Sequence, residues 1–157
     1  MSVRRATPAD AAALARLRWE FKAEDSPGAE PSDVAVAERW IAERLAGESW
    51  LAWVAEEAGD IVAHVFLALV ERVPDPFAPN HSLGYLTNFY TVPQWRGRGL
   101  GAALLRAARD HARTLPLETV IVWPSEASEA LYRREGFATP ELLLEMAVET
   151  APADADC

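Results

Sequence analysis

The stretch Gln94-Trp95-Arg96-Gly97-Arg98-Gly99-Leu100-Gly101-Ala102-Ala103-Leu104-Leu105 constrains this chain more than any other. It follows an apolar run, Tyr85 to Val92, that reads as a strand closed off by Pro93. It opens a run rich in Ala, Leu and Arg, Leu100 to Arg113, that reads as a helix. The order is strand, basic glycine-rich turn, helix. Glycines at alternate positions let the backbone come close to a ligand and point successive N–H groups one way. Those N–H groups belong to a first helical turn, where they lack an intrahelical partner and sit at the positive end of the dipole. Arg96 and Arg98 add positive charge. The geometry suits an anion, a phosphate or pyrophosphate above all.

Three patterns compete for that phosphate. A P-loop needs a Lys and a hydroxyl residue after its glycines, and none follows here. A dinucleotide turn, G-x-G-x-x-G/A, is matched by Gly97 to Ala102. Its ribose-binding acid belongs about 20 residues on, after the next strand. Glu118 stands before that strand, Thr119 to Trp123, and too little chain follows for a second mononucleotide half. The third pattern is R-x-x-G-x-G, matched by Arg96-Gly97-Arg98-Gly99-Leu100-Gly101.

This hexapeptide resembles the acetyl-coenzyme A loop of the GNAT N-acetyltransferase superfamily. The neighbours strengthen the likeness. Trp123 to Phe137 is similar to the family's strand, short helix and closing motif, which ends here in Leu131-Tyr132 and Gly136-Phe137. Val3 to Asp10 is similar to its first strand and helix start. The likeness is strong from Leu83 to Phe137 and loose from Phe21 to Val73. It implies an α/β (mixed α+β) fold: a central mixed, mostly antiparallel sheet flanked by helices, with a splayed strand pair at the cofactor site. One domain would span residues 1–149, with 150–157 a disordered acidic tail.

Bulk properties narrow the function. The chain has 157 residues, enough for one domain with a sizeable core. No apolar run approaches the roughly 18 residues of a membrane span, and no signal-peptide core follows Arg4 and Arg5. A cytoplasmic protein without a membrane partner is the simplest reading. Cys157 is the single cysteine, so neither a disulfide framework nor a Cys/His metal cluster is expected, and no metal is invoked. Fifteen basic against twenty-four acidic residues give a net charge of −9, which argues against nucleic acid. Positive charge gathers at Arg96, Arg98, Arg106, Arg109 and Arg113, a basic notch suited to an anionic cofactor.

Along the chain, strands are expected at Ser2–Arg5, Ser49–Glu56, Ile61–Arg72 and, at the end, Leu142–Val148. A hairpin turn containing Gly59-Asp60 joins the second and third. Thr7, Pro8 and Asp10 start one helix, whose Leu14, Leu17 and Phe21 face the core; Asp33 caps another, running through Leu45. Pro27, Gly28 and Pro31 break the chain between them, and Pro74, Pro76 and Pro79 precede the central strand. The six tryptophans read mostly as core, with Trp19 or Trp95 as a wall of an acceptor pocket. Closing strands paired between two copies make a homodimer reasonable.

The resemblance implies acetyl-CoA as cosubstrate and direct transfer to a primary amine of a small molecule or peptide in a ternary complex. By match to the family's motif, Tyr132 stands by the thioester sulfur, and a phenol with a pKa of about 10 can protonate a departing thiolate. The strand before the loop would offer the backbone of Phe89, Tyr90, Thr91 and Val92 to the pantetheine amides. Arg96, Gly97, Arg98, Gly99, Leu100, Gly101 and Ala102 would hold the pyrophosphate. Ser125, where many relatives carry an asparagine, and Ser128 would border the cofactor, with Ser125 also able to cap its helix. The general base stays open among Glu20, Glu24, Asp25, His64 and His81, with Glu20 put forward; His111 reads as a packed or edge residue. Glu20, Glu24, Asp25, Glu30 and Asp33 form an acidic stretch that would favour a cationic acceptor. Two other readings survive: an acyl-CoA-binding sensor without catalysis, and, less favoured, a dinucleotide-binding protein.

Overall fold

A computed structural model describes residues 2–26, 28, 33–77 and 82–148. Strand β1 (Ser2–Arg5) leads through a 3₁₀ turn at Pro8–Asp10 into helices α1 (Ala11–Asp25) and α2 (Val34–Ala46). Strands β2 (Trp50–Glu57), β3 (Asp60–Val70) and β4 (Ser82–Thr91) follow, then a 3₁₀ turn at Pro93–Trp95 and helix α3 (Leu100–Ala112). Strand β5 (Leu117–Val122) and helix α4 (Glu126–Arg134) complete the regular structure. The sheet runs β1-β2-β3-β4-β5, antiparallel up to β4 and parallel between β4 and β5. It is therefore mixed and mostly antiparallel.

Both faces of the sheet are covered. Leu51, Trp53 and Ala55 of β2 pack with Val65 and Leu67 of β3 under Leu100, Leu104, Leu105 and Ala108 of α3. Ala52 and Val54 of β2 and Phe66 of β3 face Leu14, Leu17 and Ile41 of α1 and α2. Burial on both sides explains why β2 and β3 read as nearly unbroken apolar runs rather than as alternation. The start of α1 is fixed by polar contacts: Asp10 Oδ2 accepts from the Thr7 amide at 2.7 Å, and Arg4 donates to Asp10 at 2.8 and 2.9 Å. Asp33 caps α2, its Oδ1 accepting from the Val36 amide at 3.0 Å. The β2–β3 turn is centred one residue earlier than expected, on Ala58 and Gly59, both at positive φ, and Asp60 already belongs to β3.

Three expectations are corrected. Leu142–Val148 forms no strand: the sheet ends at β5, and Leu142, Leu144, Met146 and Val148 are exposed. Alternation supplies a face, but a strand also needs an edge to pair with. Here the segment is tethered by Trp123 Nε1 donating to Glu145 at 2.8 Å, not by a ladder. The homodimer argument built on that strand loses its support. Of the six tryptophans only Trp53 is buried. Arg106 and Arg109 form no open notch, because both bond the buried carboxylate of Glu135, and Arg109 and Arg113 also meet Asp110. Pro27, Glu30, Pro31, Pro79, His81 and residues 149–157 lie outside the described residues.

Candidate active site

Strand β4 supplies the central wall of the site through Phe89, Tyr90 and Thr91. Its parallel register with β5 stops at Leu86↔Val122, while β4 continues to Thr91. From Thr87 onward the edge of β4 that faces β5 is released from that ladder. On its other side, His64↔Tyr90 and Phe66↔Thr87 leave Asn88 and Phe89 opposite the single residue Val65. This is a bulge in β4, and Asn88 takes the left-handed conformation, φ 51°, that asparagine tolerates. The bulge turns the side chains of Thr87 and Asn88 toward the same cleft beside α1 and α2 and leaves Phe89 under α3.

The three glycines of the turn do two different jobs. Gly97 and Gly99 adopt φ 73° and 81°, which an L side chain rarely takes. Gly101 is needed for space: a Cβ there would stand 2.8 Å from the Phe89 ring and 3.1 Å from Leu131. Ala103 is the first residue to donate within α3, to the Gly99 carbonyl at 3.0 Å, so the amides before it are free to meet an anion.

All the cofactor residues named from sequence except Val92, Arg98 and Tyr132 line one cavity of about 740 Å³ between the end of β4, the glycine turn and α4. Arg98 instead lies over the Trp95 ring at 4.6 Å. Arg96 donates to both Glu24 oxygens at 2.6 and 2.8 Å and to the Thr91 carbonyl at 2.9 Å. Glu24 also accepts from the Tyr90 hydroxyl at 2.9 Å. The guanidinium, and then the phenol, hold the Glu24 carboxyl below its ordinary pKa; burial and this carboxylate push Tyr90 up to about 12. The loop arginine thus straps α1 to the cavity rim. Ser125 does not cap α4 through its side chain; its hydroxyl pairs with that of Ser128 at 2.9 Å.

Tyr132 is 4 % exposed, edge-on to Phe89 at 6.0 Å and to Phe137 at 5.4 Å. It sits behind Leu131 of the cavity wall and faces a neighbouring space of about 420 Å³ bounded by Val122 and Leu143. Burial raises its pKa, so the phenol is protonated at neutral pH. Glu20 pairs with Arg16 at 3.9 Å and lines neither space; the acids on the wall of the larger cavity are Glu24 and Asp25. His64 is fully buried, and neither ring nitrogen completes a hydrogen bond. Burial, aided by the Arg18 charge and opposed by nearby Asn88, takes its pKa down to about 3, so it is a weak and inaccessible base.

Sequence reasoning missed Arg18 and Asn88, whose side chains meet at 2.9 Å beside β4. An asparagine within an apolar strand is disfavoured and was the available signal.

The chain belongs to the acetyltransferase (GNAT) family, whose model matches residues 12–137. That family uses acetyl-CoA, and the chain is a transferase of the N-acetyltransferase type. It is 29% identical over 143 residues to the uncharacterized N-acetyltransferase YhfO of Bacillus subtilis, covering 87% of this chain and 89% of that one. It is 33% identical over 115 residues to an aminoglycoside N(6')-acetyltransferase type 1 of Stenotrophomonas maltophilia, covering 71% and 67% respectively. A predicted acetyltransferase from Clostridium acetobutylicum, solved with acetyl-CoA, superposes with a TM-score of 0.76 at 25% identity over 93% of this chain and 95% of that one. Among the described residues no helix is long and apolar enough to cross a membrane, and no cluster of three potential metal ligands occurs.

Proposed function

We propose that this protein moves the acetyl group of acetyl-CoA directly to a primary amine of a small molecule or peptide, within a ternary complex. The observation that carries the reading is the release of β4 from β5 after Leu86, at the mouth of the cavity rimmed by Gly97, Gly99 and the first amides of α3. The freed edge of Phe89 to Thr91 supplies amide partners for an extended pantetheine arm, and the α3 start supplies donors for its phosphates. The neutral amine attacks the thioester carbonyl, a C–N bond replaces the C–S bond, the attacking nitrogen loses its proton to solvent water, and the thiolate gains one from a donor that solvent then reprotonates. Tyr132, held protonated by burial, is assigned that last proton. The relative named for aminoglycoside 6'-acetylation supports an amine acceptor as a class.

Acetyl-CoA at about 100 times its dissociation constant is expected to add about 2.7 kcal/mol of stability, a melting rise of roughly 5–10 °C. Free thiol should then appear with a panel of amines. Tyr132→Phe should leave the thermal response intact and lower kcat by about 10²-fold. Binding without thiol release from any amine would favour the sensor reading. A response to a nicotinamide dinucleotide in place of acetyl-CoA would overturn both.

A further inference from the structure

A second cleft, about 350 Å³, opens on the α1–α2 side of β4, and its walls differ in chemistry from the glycine cavity. Trp40 and Trp50 meet edge to face at 4.9 Å, and Trp50 meets Phe66 at 6.4 Å, giving one aromatic side. Opposite them stand Arg18 and Asn88. Arg18 donates to Asn88 Oδ1 at 2.9 Å and lies 5.8 Å from the Phe21 ring, yet no carboxylate among the described residues pairs with it. Arg4, Arg96, Arg106 and Arg109 each sit against a carboxylate. Partial burial disfavours the Arg18 charge, and the nearby His64 imidazole, held neutral by its own burial, supplies no counter-charge. A half-buried guanidinium with an unsatisfied face is a binding group for a planar oxyanion.

Position links this cleft to the reaction. Asn88 borders it while the next residue, Phe89, borders the glycine cavity and touches Tyr132. On α1, Arg18 faces the cleft, and Phe21 and Glu24, one and two turns on, face the cavity. The two spaces therefore flank the bulge of β4, bordered by adjacent residues.

Resting on the acetyl-transfer reading above, we infer that the acceptor is an amine carrying both a carboxylate and an aromatic or large apolar group, an amino-acid-like molecule. Its carboxylate is bound by Arg18 and Asn88 and its apolar body by Trp40, Trp50 and Phe66. This replaces the cationic acceptor expected from sequence. In the fold Glu24 is spent on Arg96 and Tyr90, and Glu20 on Arg16, so much of that negative field is neutralised locally.

The test compares phenylalanine, phenylalaninamide, phenethylamine and an aminoglycoside as acceptors at saturating acetyl-CoA, in the native protein and in Arg18→Gln. The native protein should prefer phenylalanine to phenethylamine by at least about 10-fold in kcat/KM, the worth of one charge-assisted contact. Arg18→Gln should collapse that ratio to about 2-fold through the acceptor KM, with the acetyl-CoA melting shift unchanged. Differences in amine basicity cancel in the ratio of native to variant. Trp40→Ala supplies the second variant and should erode the preference for phenylalanine over alanine. Equal or better rates with phenethylamine or the aminoglycoside, or a ratio untouched by Arg18→Gln, overturn the inference. If no amine is acetylated, calorimetry with phenylalanine and phenethylamine separates the two claims. Arg18-dependent binding of the acid alone keeps the cleft and removes the acetyl-transfer reading; binding of neither, or of both alike, removes the cleft.

Discussion

The two halves of β4 have the same backbone and opposite fates. Ser82 to Leu86 is clasped by β3 on one side and β5 on the other, and Gly84 leaves no room there: an added Cβ would meet Val120 at 3.0 Å, Leu67 at 3.2 Å and Leu117 at 3.3 Å. Thr87 to Thr91 keeps only β3, carries the bulge at Asn88, and borders both the glycine cavity and the aromatic cleft. One half spends its hydrogen bonds and its volume on the fold. The other leaves its β5-facing edge unpaired, open to the cofactor proposed above.

The comparison breaks most visibly at the ligand end. Gly99→Asp places a side chain at φ 81° and a negative charge where the phosphates are proposed to lie. The acetyl-CoA melting shift of roughly 5–10 °C should vanish while the unliganded protein still melts cooperatively, as read by differential scanning fluorimetry. A retained shift would place the cofactor elsewhere.

A smaller effect belongs to His64, paired with Tyr90 near the end of the open half. Its folded pKa lies near 3, below the 6.5 of an unfolded histidine, so the unfolded state binds the extra proton. The stability it contributes is present above pH 6.5 and falls as pH drops toward 3. Denaturation at pH 7 and pH 5 should differ by about 2 kcal/mol from this group. His64→Leu should flatten that slope; an unchanged slope would mean the imidazole finds a proton acceptor on protonation. The smallest effect lies in the closed half. Gly84→Ala should destabilise by about 1 kcal/mol through overpacking and leave the acetyl-CoA dissociation constant unchanged, measured by chemical denaturation and calorimetry. A change in affinity would show that the two halves are not independent.

Most elements were legible because their signals are local. Pro93 and Gly99 bracket the turn before α3, Asp33 caps α2, and the apolar runs of β2 and β3 need no distant information. The glycine cavity was legible for the same reason, being built largely from one contiguous motif. What sequence could not supply were pairings across long separations. Arg106 and Arg109 look like free charge until Glu135, buried at the end of α4, is brought beneath them. Arg96 looks like free charge until Glu24 reaches it from α1. Leu142–Val148 has a strand's alternation, but alternation does not specify an edge, and none is taken. Arg18 and Asn88 are seventy residues apart in sequence, and only the bulge brings them together.

The Glu135 contact has a further consequence, a metric one. Arg106 donates to it at 2.9 and 3.0 Å and Arg109 at 3.4 Å, which bolts the middle of α3 to the last turn of α4. The start of α3 is one end of the glycine cavity, and Tyr132 rides on α4. A buried carboxylate thus fixes the distance between the glycine turn and Tyr132, the groups proposed above to hold the phosphates and to donate the proton. The bracket acts as a gauge: an acyl carrier whose arm is a few ångströms too short or too long would find both ends of the site intact and be unable to occupy them together.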